Sequence, residues 1–215
     1  MSRLPDPPLL VITARAFTRR PIRAVVAHVF AGGCRWLMVR EKDLADRALA
    51  GMVRDFLEIA RPYRALVTVN GNVEVAAETG AHGVHLQRAD QVKPARRRLG
   101  RRALIGVSAH SLEEALEAAR AGADYVTLSP IFASISKPGY GPPGDEGLEM
   151  LRAVARAVRV PVVALGGITA QNTPRCLEAG AAGVAVLGRV MGALDPQAEV
   201  EALVRAVSGN EGRQE

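Results

Sequence analysis

The sequence predicts a single-domain (β/α)₈ barrel, an α/β fold, and three observations lead to this prediction. Eight short apolar runs rich in β-branched residues recur along the 215 residues, and stretches with helical periodicity separate most of them. Each run is apolar on both faces, which is typical of parallel strands that are buried on both sides. The first run is followed by TARAFTRRP, which lacks the glycine fingerprint of an open dinucleotide-binding sheet. An open doubly wound sheet is therefore the second choice.

The predicted strands, in chain order, are 9–13, 36–40, 65–70, 83–86, 104–108, 125–129, 162–166 and 183–187. The clearest helix between them opens at Ser111, with Glu114 three residues later as in a capping box, and closes at Gly122. The helices after the third and fourth strands must be short, because few residues separate these strands from the next ones. We expect the barrel to span residues 1–208, without a second domain, and residues 209–215 to form a frayed tail.

The composition is that of an ordinary globular protein, with 48% apolar and 23% charged residues. No apolar run approaches the roughly 18 residues of a membrane helix, and the N-terminal segment lacks the apolar core of a signal peptide. A cytoplasmic protein that does not bind membranes is the resulting expectation. Cys34 and Cys176 are the two cysteines, and their isolation predicts buried free thiols instead of a metal cluster or a disulfide scaffold.

The net charge is +6, and arginine dominates the basic residues, since three of the 28 are lysines. The densest basic segment is ARRRLGRRA at residues 95–103. No aromatic residue interrupts it and no nucleic-acid-binding motif accompanies it, so we expect a solvated helix end and no nucleic-acid partner. A basic protein also favours phosphorylated small molecules as substrates.

Glycines follow the last two predicted strands, at the end of the barrel where active sites of this fold lie. Gly166 and Gly167 follow the seventh strand and Gly188 follows the eighth, each before a predicted helix start. Glycines at such places let backbone N–H groups converge on an anion, and the helix dipole adds to the attraction. We therefore predict a phosphate site here, although the need for a tight turn alone would also explain these glycines.

Cationic side chains predict a second anion site at the same end of the barrel. Arg40 and Lys42 follow the second strand, and Lys137 lies in the long loop FASISKPGYGPPG after the sixth strand. Arginine offers a planar fork of donors, and lysine offers a point charge. Two of the three lysines in an arginine-rich chain occur at these positions, which favours a role in binding a diphosphate. Surface cations without a ligand are the alternative interpretation.

Three further residues have two interpretations each. His85 lies in the fourth strand, where it is either a buried interior histidine or a residue that contacts the substrate. His110 either caps the following helix or takes part in the chemistry. Asp90 either caps the helix that begins near residue 91 or binds a metal ion.

Six segments, in this order along nearly the whole chain, resemble the thiamin phosphate synthase/TenI family of (β/α)₈ barrels: VREKD, GAHGVHLQRAD, GVSAHSLEEA, GADYVTLSPIFASISKPGYGP, PVVALGGIT and GAAGVAVLGRVMGA. The resemblance implies an enzyme of thiamin biosynthesis, a transferase. It would join hydroxymethylpyrimidine diphosphate to a thiazole phosphate and release diphosphate, and these two small molecules would be its partners. Whether the chain forms a homo-oligomer stays open.

The resemblance also implies roles for individual residues. The positions matching the diphosphate site are Arg40, Lys42, Asn70, Ser108 and Lys137, and of these Arg40, Lys42, Ser108 and Lys137 are the catalytic candidates. Ser134 and Ser136 fall where hydroxyl groups bind the ligands. Gly167 and the backbone near Gly188 match the thiazole phosphate site, and Asp90 matches a Mg²⁺ ligand. His85 completes the substrate-binding candidates.

Three positions differ from the family patterns and leave alternatives open. Gly71 stands where synthases have an aspartate, and Met38 where they have a glutamine. Pro130 stands where the TenI tautomerases have a histidine. Besides a synthase, the sequence therefore allows a TenI-like thiazole phosphate tautomerase that uses His85 or His110, or a non-catalytic protein that binds thiazole or thiamin phosphate.

Overall fold

The computed structural model describes residues 4–133, 141–142 and 145–209. Eight parallel strands form a closed barrel in chain order, and β1 pairs with β8 to complete it, with Leu10 opposite Ala185. The predicted (β/α)₈ fold is confirmed, and each strand end lies within one residue of its predicted position. The strands are β1 (Leu9–Ile12), β2 (Trp36–Val39), β3 (Leu66–Asn70), β4 (Gly83–Leu86), β5 (Leu104–Ala109), β6 (Tyr125–Leu128), β7 (Val162–Leu165) and β8 (Gly183–Val186).

Helices cover the outside of the barrel. They are α1 (Ile22–Ala31), α2 (Asp46–Ala60), α3 (Val73–Thr79), α4 (Val92–Leu99), α5 (Leu112–Ala121), α6 (Glu146–Ala157), α7 (Thr173–Glu178), α8 (Gly188–Met191) and α9 (Pro196–Ser208). Three-residue 3₁₀ turns occur at Arg15–Phe17, Arg61–Tyr63 and Ala89–Gln91. The helices α3 and α4 have seven and eight residues, as the short spacing predicts. None of the helices in the described ranges is long and apolar enough to cross a membrane.

The start of α5 shows how its sequence fixes a helix boundary. The Ser111 hydroxyl accepts a hydrogen bond from the backbone N–H of Glu114 at 3.2 Å, and Gly122 ends the helix with a φ of 92°. The carboxylate of Glu114 returns to the backbone N–H of His110 at 2.7 Å, one residue before the N-cap. Ser111 is thus the cap, as predicted, and the interpretation of His110 as a cap of this helix is wrong.

Alternation along the strands divides the core into two layers. Side chains such as Val11, Val67 and Val126 pack between the barrel and the helices. The other face of each strand fills the barrel interior, where Trp36 and Tyr125 meet edge to face with ring centroids 4.8 Å apart. Cys34 and Cys176 are buried free thiols, as predicted, and burial raises their pKa values to about 11 and about 12.

The arginine-rich segment is only partly solvated. The Arg96 guanidinium lies 2.6 Å from the Asp124 carboxylate and also donates to the backbone carbonyl of Ala103 at 2.5 Å. Arg98 pairs with Glu74 on α3, whereas the side chain of Arg97 is exposed. The expectation of a solvated helix end is therefore wrong for Arg96, because this residue ties α4 to the loop before β6.

Candidate active site

Four polar side chains from three adjacent strands meet in the barrel interior, below the ends of β4, β5 and β6. The His85 ring is central: its Nδ1 lies 3.0 Å from the Tyr125 hydroxyl, and its Nε2 lies 3.0 Å from Ser108 Oγ and 3.3 Å from Thr127 Oγ1. His85, Tyr125 and Thr127 are buried, and Ser108 is half-buried at the upper edge of the group. This group therefore links the closed interior to the mouth of the barrel.

Burial sets the protonation states of this group. The loss of solvation lowers the pKa of His85 to about 3, so the imidazole is neutral at pH 7. Burial also raises the pKa of Tyr125 far above its ordinary value, so the phenol keeps its proton. Hydrogen bonds between neutral groups, and not an ion pair, hold these side chains together.

The end of β2 is anchored through backbone contacts. The backbone N–H of Arg40 donates to Thr13 Oγ1 at 3.0 Å, and the side chain of Arg40 is half-buried. The next residue, Glu41, is buried and accepts from the backbone N–H of Arg15 through both carboxylate oxygens at 3.1 Å. The guanidinium of Arg15 bridges Glu41 and Asp43. This network fixes the backbone that carries Arg40 and Lys42.

An open cavity of about 580 Å³ lies beyond the ends of β2 and β3. Lys42 and Asn70 both line it, so the structure brings these two predicted residues together. Asn72 shapes one side, because its side chain caps α3 at the backbone N–H of Val75 and donates to Asp46 at 2.8 Å. The cavity thus offers the Lys42 ammonium and the Asn70 amide, but three carboxylates line it as well, namely those of Glu41, Asp46 and Glu74.

A second cavity, of about 220 Å³, lies beyond the ends of β7 and β8. The predicted glycines Gly166, Gly167 and Gly188 all line it. Within the described part of the chain, no group accepts from the backbone N–H groups of Gly167, Ile168, Gly188 or Arg189. Unpaired backbone N–H groups around a cavity are the donors that bind phosphate at such positions.

The backbone near Gly166 and Gly167 has its own structural reason for glycine. Their φ angles are +102° and +65°, and a Cβ on Gly167 would lie 2.7 Å from the Cβ of Phe132. One part of the prediction is wrong: no helix starts directly after these residues. A turn in which Thr169 and Asn172 bond to each other precedes α7, whereas Gly188 does begin α8.

Asp90 lies in the 3₁₀ turn after β4 and does not cap α4. The N-cap position of α4 is Gln91, whose side chain accepts from the backbone N–H groups of Gln87 and Arg88. The Asp90 carboxylate is exposed and pairs with Arg88 at 2.8 Å. Among the residues that the structure describes, no group of three His, Cys, Asp or Glu side chains is placed to hold a metal ion.

The remaining predicted positions have the following places. Ser134, Ser136 and Lys137 lie outside the described residues. Met38 is buried in the barrel interior beside Ile12, and Gly71 has a φ of +75° with no atom within 4 Å of a Cβ built on it. An added side chain at Gly71 therefore has space but adopts a left-handed conformation that most residues avoid.

Sequence reasoning missed Tyr125, Thr127, Thr13 and Arg15. Strand alternation was the available signal for the first two, since positions 125 and 127 share a face of β6 in the same way as 106 and 108 share a face of β5. No local signal identifies Arg15, because its role depends on a carboxylate 26 residues further along the chain.

Comparisons with known proteins agree with this geometry. The family model described as thiamine monophosphate synthase (TMP-TENI) matches residues 9–190. A thiamine-phosphate synthase of Moorella thermoacetica is 38% identical over 205 residues, which cover 95% of this chain and 97% of that protein. A putative thiamine-phosphate synthase of Geobacter sulfurreducens is 39% identical over 186 residues, 86% of each chain.

A solved structure extends the likeness to three dimensions. Thiamine phosphate pyrophosphorylase from Pyrococcus furiosus is 34% identical in sequence and superposes with a TM-score of 0.82. The match covers 94% of this chain and 95% of that one. The similarity therefore extends over the barrel as a whole.

Proposed function

This chain belongs to the thiamine monophosphate synthase family, and from that membership we propose that it condenses hydroxymethylpyrimidine diphosphate with thiazole phosphate to give thiamin phosphate and diphosphate. The observation that carries the proposal is the cavity lined by Gly167 and Gly188, where four backbone N–H groups lack an acceptor among the described residues. Such a cavity suits the single phosphate of the thiazole substrate. We place the diphosphate near Lys42 and Asn70, which meet beyond the ends of β2 and β3.

The reaction breaks the bond between the pyrimidine methylene carbon and a diphosphate oxygen, and the diphosphate leaves with the electron pair. The thiazole nitrogen then forms the new bond to this carbon. Negative charge grows on the departing diphosphate, so catalysis consists of fixed positive charge and hydrogen-bond donors at that place. We assign this role to the side chains of Arg40 and Lys42, with Asn70 and the Ser108 hydroxyl as neutral partners. From the sequence alone, Lys137 adds a further cation, and Ser134 and Ser136 add hydroxyl groups.

We propose further that Mg²⁺ takes part, held by one protein carboxylate together with the substrate. Magnesium sites in proteins commonly use one or two carboxylates together with phosphate oxygens and water. Asp90 is the carboxylate that we propose for it, since its pairing with Arg88 is exposed to solvent and such pairs are weak. When bound, Mg²⁺ would supply further positive charge to the diphosphate.

The two alternative functions are not favoured. The relatives described above are named as thiamine-phosphate synthases, not as tautomerases or binding proteins. His85 is also a poor acid or base for a tautomerase, because both of its ring nitrogens are occupied and its pKa lies near 3. His110 is committed to Glu114 through its backbone and its ring.

A condensation assay with matched lysine variants tests the proposal. The full chain is incubated with both substrates and Mg²⁺, and thiamin phosphate and diphosphate are measured. We expect equal amounts of the two products. We expect Lys42→Ala to lower kcat by about a hundredfold, the effect of removing one group that stabilises transition-state charge. Lys93→Ala removes an exposed lysine of α4 and should leave the rate unchanged.

Two results would contradict the proposal. Tight binding of thiazole phosphate without product would indicate a binding protein. Isomerisation of a thiazole phosphate without the pyrimidine substrate would indicate a tautomerase. Equal rates for Lys42→Ala and the unmodified chain would remove Lys42 from the diphosphate site.

A further inference from the structure

Tyr125 occupies a space in the barrel interior that exists because residue 106 is glycine. A Cβ on Gly106 would overlap the Tyr125 ring, so the two residues on adjacent strands β5 and β6 fit only as this pair. The edge of Trp36 packs on the same ring, with centroids 4.8 Å apart. Packing on these sides holds the phenol where its hydroxyl meets His85 Nδ1 at 3.0 Å.

The hydroxyl of Tyr125 has a single hydrogen-bond partner among the described residues, namely His85. Leaving a buried phenol O–H without an acceptor costs free energy, so the phenol proton is directed at Nδ1 of the imidazole. A neutral imidazole that accepts at Nδ1 carries its own proton at Nε2. The pKa of His85, lowered to about 3 by burial, keeps the ring in this neutral state.

The proton on Nε2 then determines what Ser108 can do. Nε2 lies 3.0 Å from Ser108 Oγ and 3.3 Å from Thr127 Oγ1, so the shorter contact is to the serine. If Nε2–H donates to Ser108 Oγ, the hydroxyl proton of Ser108 is free to point toward the mouth of the barrel. If the imidazole carried its proton on Nδ1, Nε2 would instead accept the serine proton and turn it away from a ligand.

We propose that Tyr125 is a positioning residue: by donating to His85 Nδ1 it fixes the imidazole tautomer and so orients the Ser108 hydroxyl as a donor to the substrate. The phenol contacts no substrate itself, because it is buried beneath the histidine. This role rests on the proposed function, since it acts through the Ser108 hydroxyl that we place against the ligand.

The tautomer can be measured without any activity. Long-range ¹H–¹⁵N spectra of the ¹⁵N-labelled full chain distinguish the two nitrogens of a neutral histidine, and His85→Gln assigns the signals. We expect Nε2–H in the unmodified protein and a shift toward Nδ1–H in Tyr125→Phe, which removes only the hydroxyl. Tyr63→Phe, a change of the same size in the 3₁₀ turn after α2, should leave the spectrum of His85 unchanged. An Nδ1–H tautomer in the unmodified protein would overturn the proposal.

Kinetics test the consequence for Ser108. We expect Tyr125→Phe to lower kcat about tenfold, the effect of one misdirected hydrogen bond, with a smaller change in KM. On a Ser108→Ala background the same change should have no further effect, because the group through which Tyr125 acts is missing. A full additional loss in the double variant would show a structural role and overturn the proposal. A chain without condensation activity would contradict the proposed function alone, and the spectra would still decide the tautomer.

Discussion

At the scale of single residues, His85 places an ionisable ring in a part of the barrel that water does not reach. Its pKa of about 3 lies below the ordinary value of 6.5, because burial disfavours the charged form. The unfolded chain therefore takes up a proton at a higher pH than the folded one. The stability that follows from this difference is complete above about pH 6.5 and is lost as the pH falls from there toward 3.

This pKa shift predicts a pH dependence of stability. Between pH 7 and pH 5 the free energy of unfolding should fall by about 2 kcal/mol because of His85 alone. Denaturant unfolding at the two pH values measures the fall in the unmodified chain and in His85→Gln, which has no group to protonate. We expect a smaller fall in the variant. An equal fall in the two proteins would contradict the lowered pKa of His85 in the folded protein.

The site residues divide into those that sequence could identify and those that it could not. Counting strands places Ser108 near the mouth, and the position after the last two strands does the same for Gly167 and Gly188, whereas His85 lies in the interior below it. The hydrogen-bonded group around His85 needs the register of three strands at once, which no local pattern specifies. The interpretation of Asp90 as the cap of α4 is wrong, because Gln91 occupies the N-cap position and the Asp90 carboxylate pairs with Arg88, and sequence spacing does not separate such neighbours.

At the scale of elements, α4 shows a basic helix that is held in place by one of its arginines. Arg96 contacts the carboxylate of Asp124, and this carboxylate also accepts from the backbone N–H of Ile105 at 2.8 Å. The Asp124 side chain is 8% exposed, so the pair is largely shielded from water. Arg96 therefore connects α4 to the starts of β5 and β6, although the next two residues in the sequence are also arginines.

Two adjacent arginines of α4 should consequently respond differently to the same substitution. Arg96→Ala removes a charged partner from a buried carboxylate, so we expect a loss of about 3 kcal/mol in the free energy of unfolding. Arg97→Ala changes an exposed side chain and should stay within about 0.5 kcal/mol. Chemical denaturation of both variants checks this. Similar losses would show that Arg96 is as solvated as its neighbour.

At the scale of the whole molecule, the barrel is closed by the seam between β1 and β8. The backbone N–H of Val184 donates to the carbonyl of Pro8 at 3.0 Å, directly below the ladder of the two strands. Gly183 allows this approach, since a Cβ on it would lie 2.8 Å from the Cβ of Pro8. The chain thus brings its first strand against its last through a contact that leaves no space for a side chain.

Alanine substitutions at two glycines should change stability in opposite directions. Gly183→Ala should destabilise the protein by about 1–3 kcal/mol, because the added methyl group overpacks the seam. Gly51→Ala should stabilise it by about 0.5–1 kcal/mol, since Gly51 lies exposed inside α2 with no atom within 4 Å of a Cβ. Melting temperatures of the two variants measure the contrast. A neutral Gly183→Ala would mean that the seam can open to admit a methyl group.

The fold as a whole was predictable because every strand is apolar on both faces and punctuated by turn residues. The apolar runs predicted the order of the strands and the strand ends to within one residue. The sequence pattern could not predict the closure contact at Gly183. It also could not predict that the Tyr125 ring fills the space left free by Gly106, because both features depend on pairs of residues that meet only after the barrel has closed. Local patterns thus predicted the architecture, and the tertiary contacts decide which polar groups meet at its mouth.

The fit of the Tyr125 ring against Gly106 has a consequence in time as well as in space. A half-rotation of the ring about its Cβ–Cγ axis sweeps both edges through the volume bounded by Gly106 and Trp36. A close-packed interior leaves no room for this movement, so the rotation requires the β-barrel to widen transiently. The rate of these ring flips therefore reports how often the barrel widens, a motion that an average structure does not reveal.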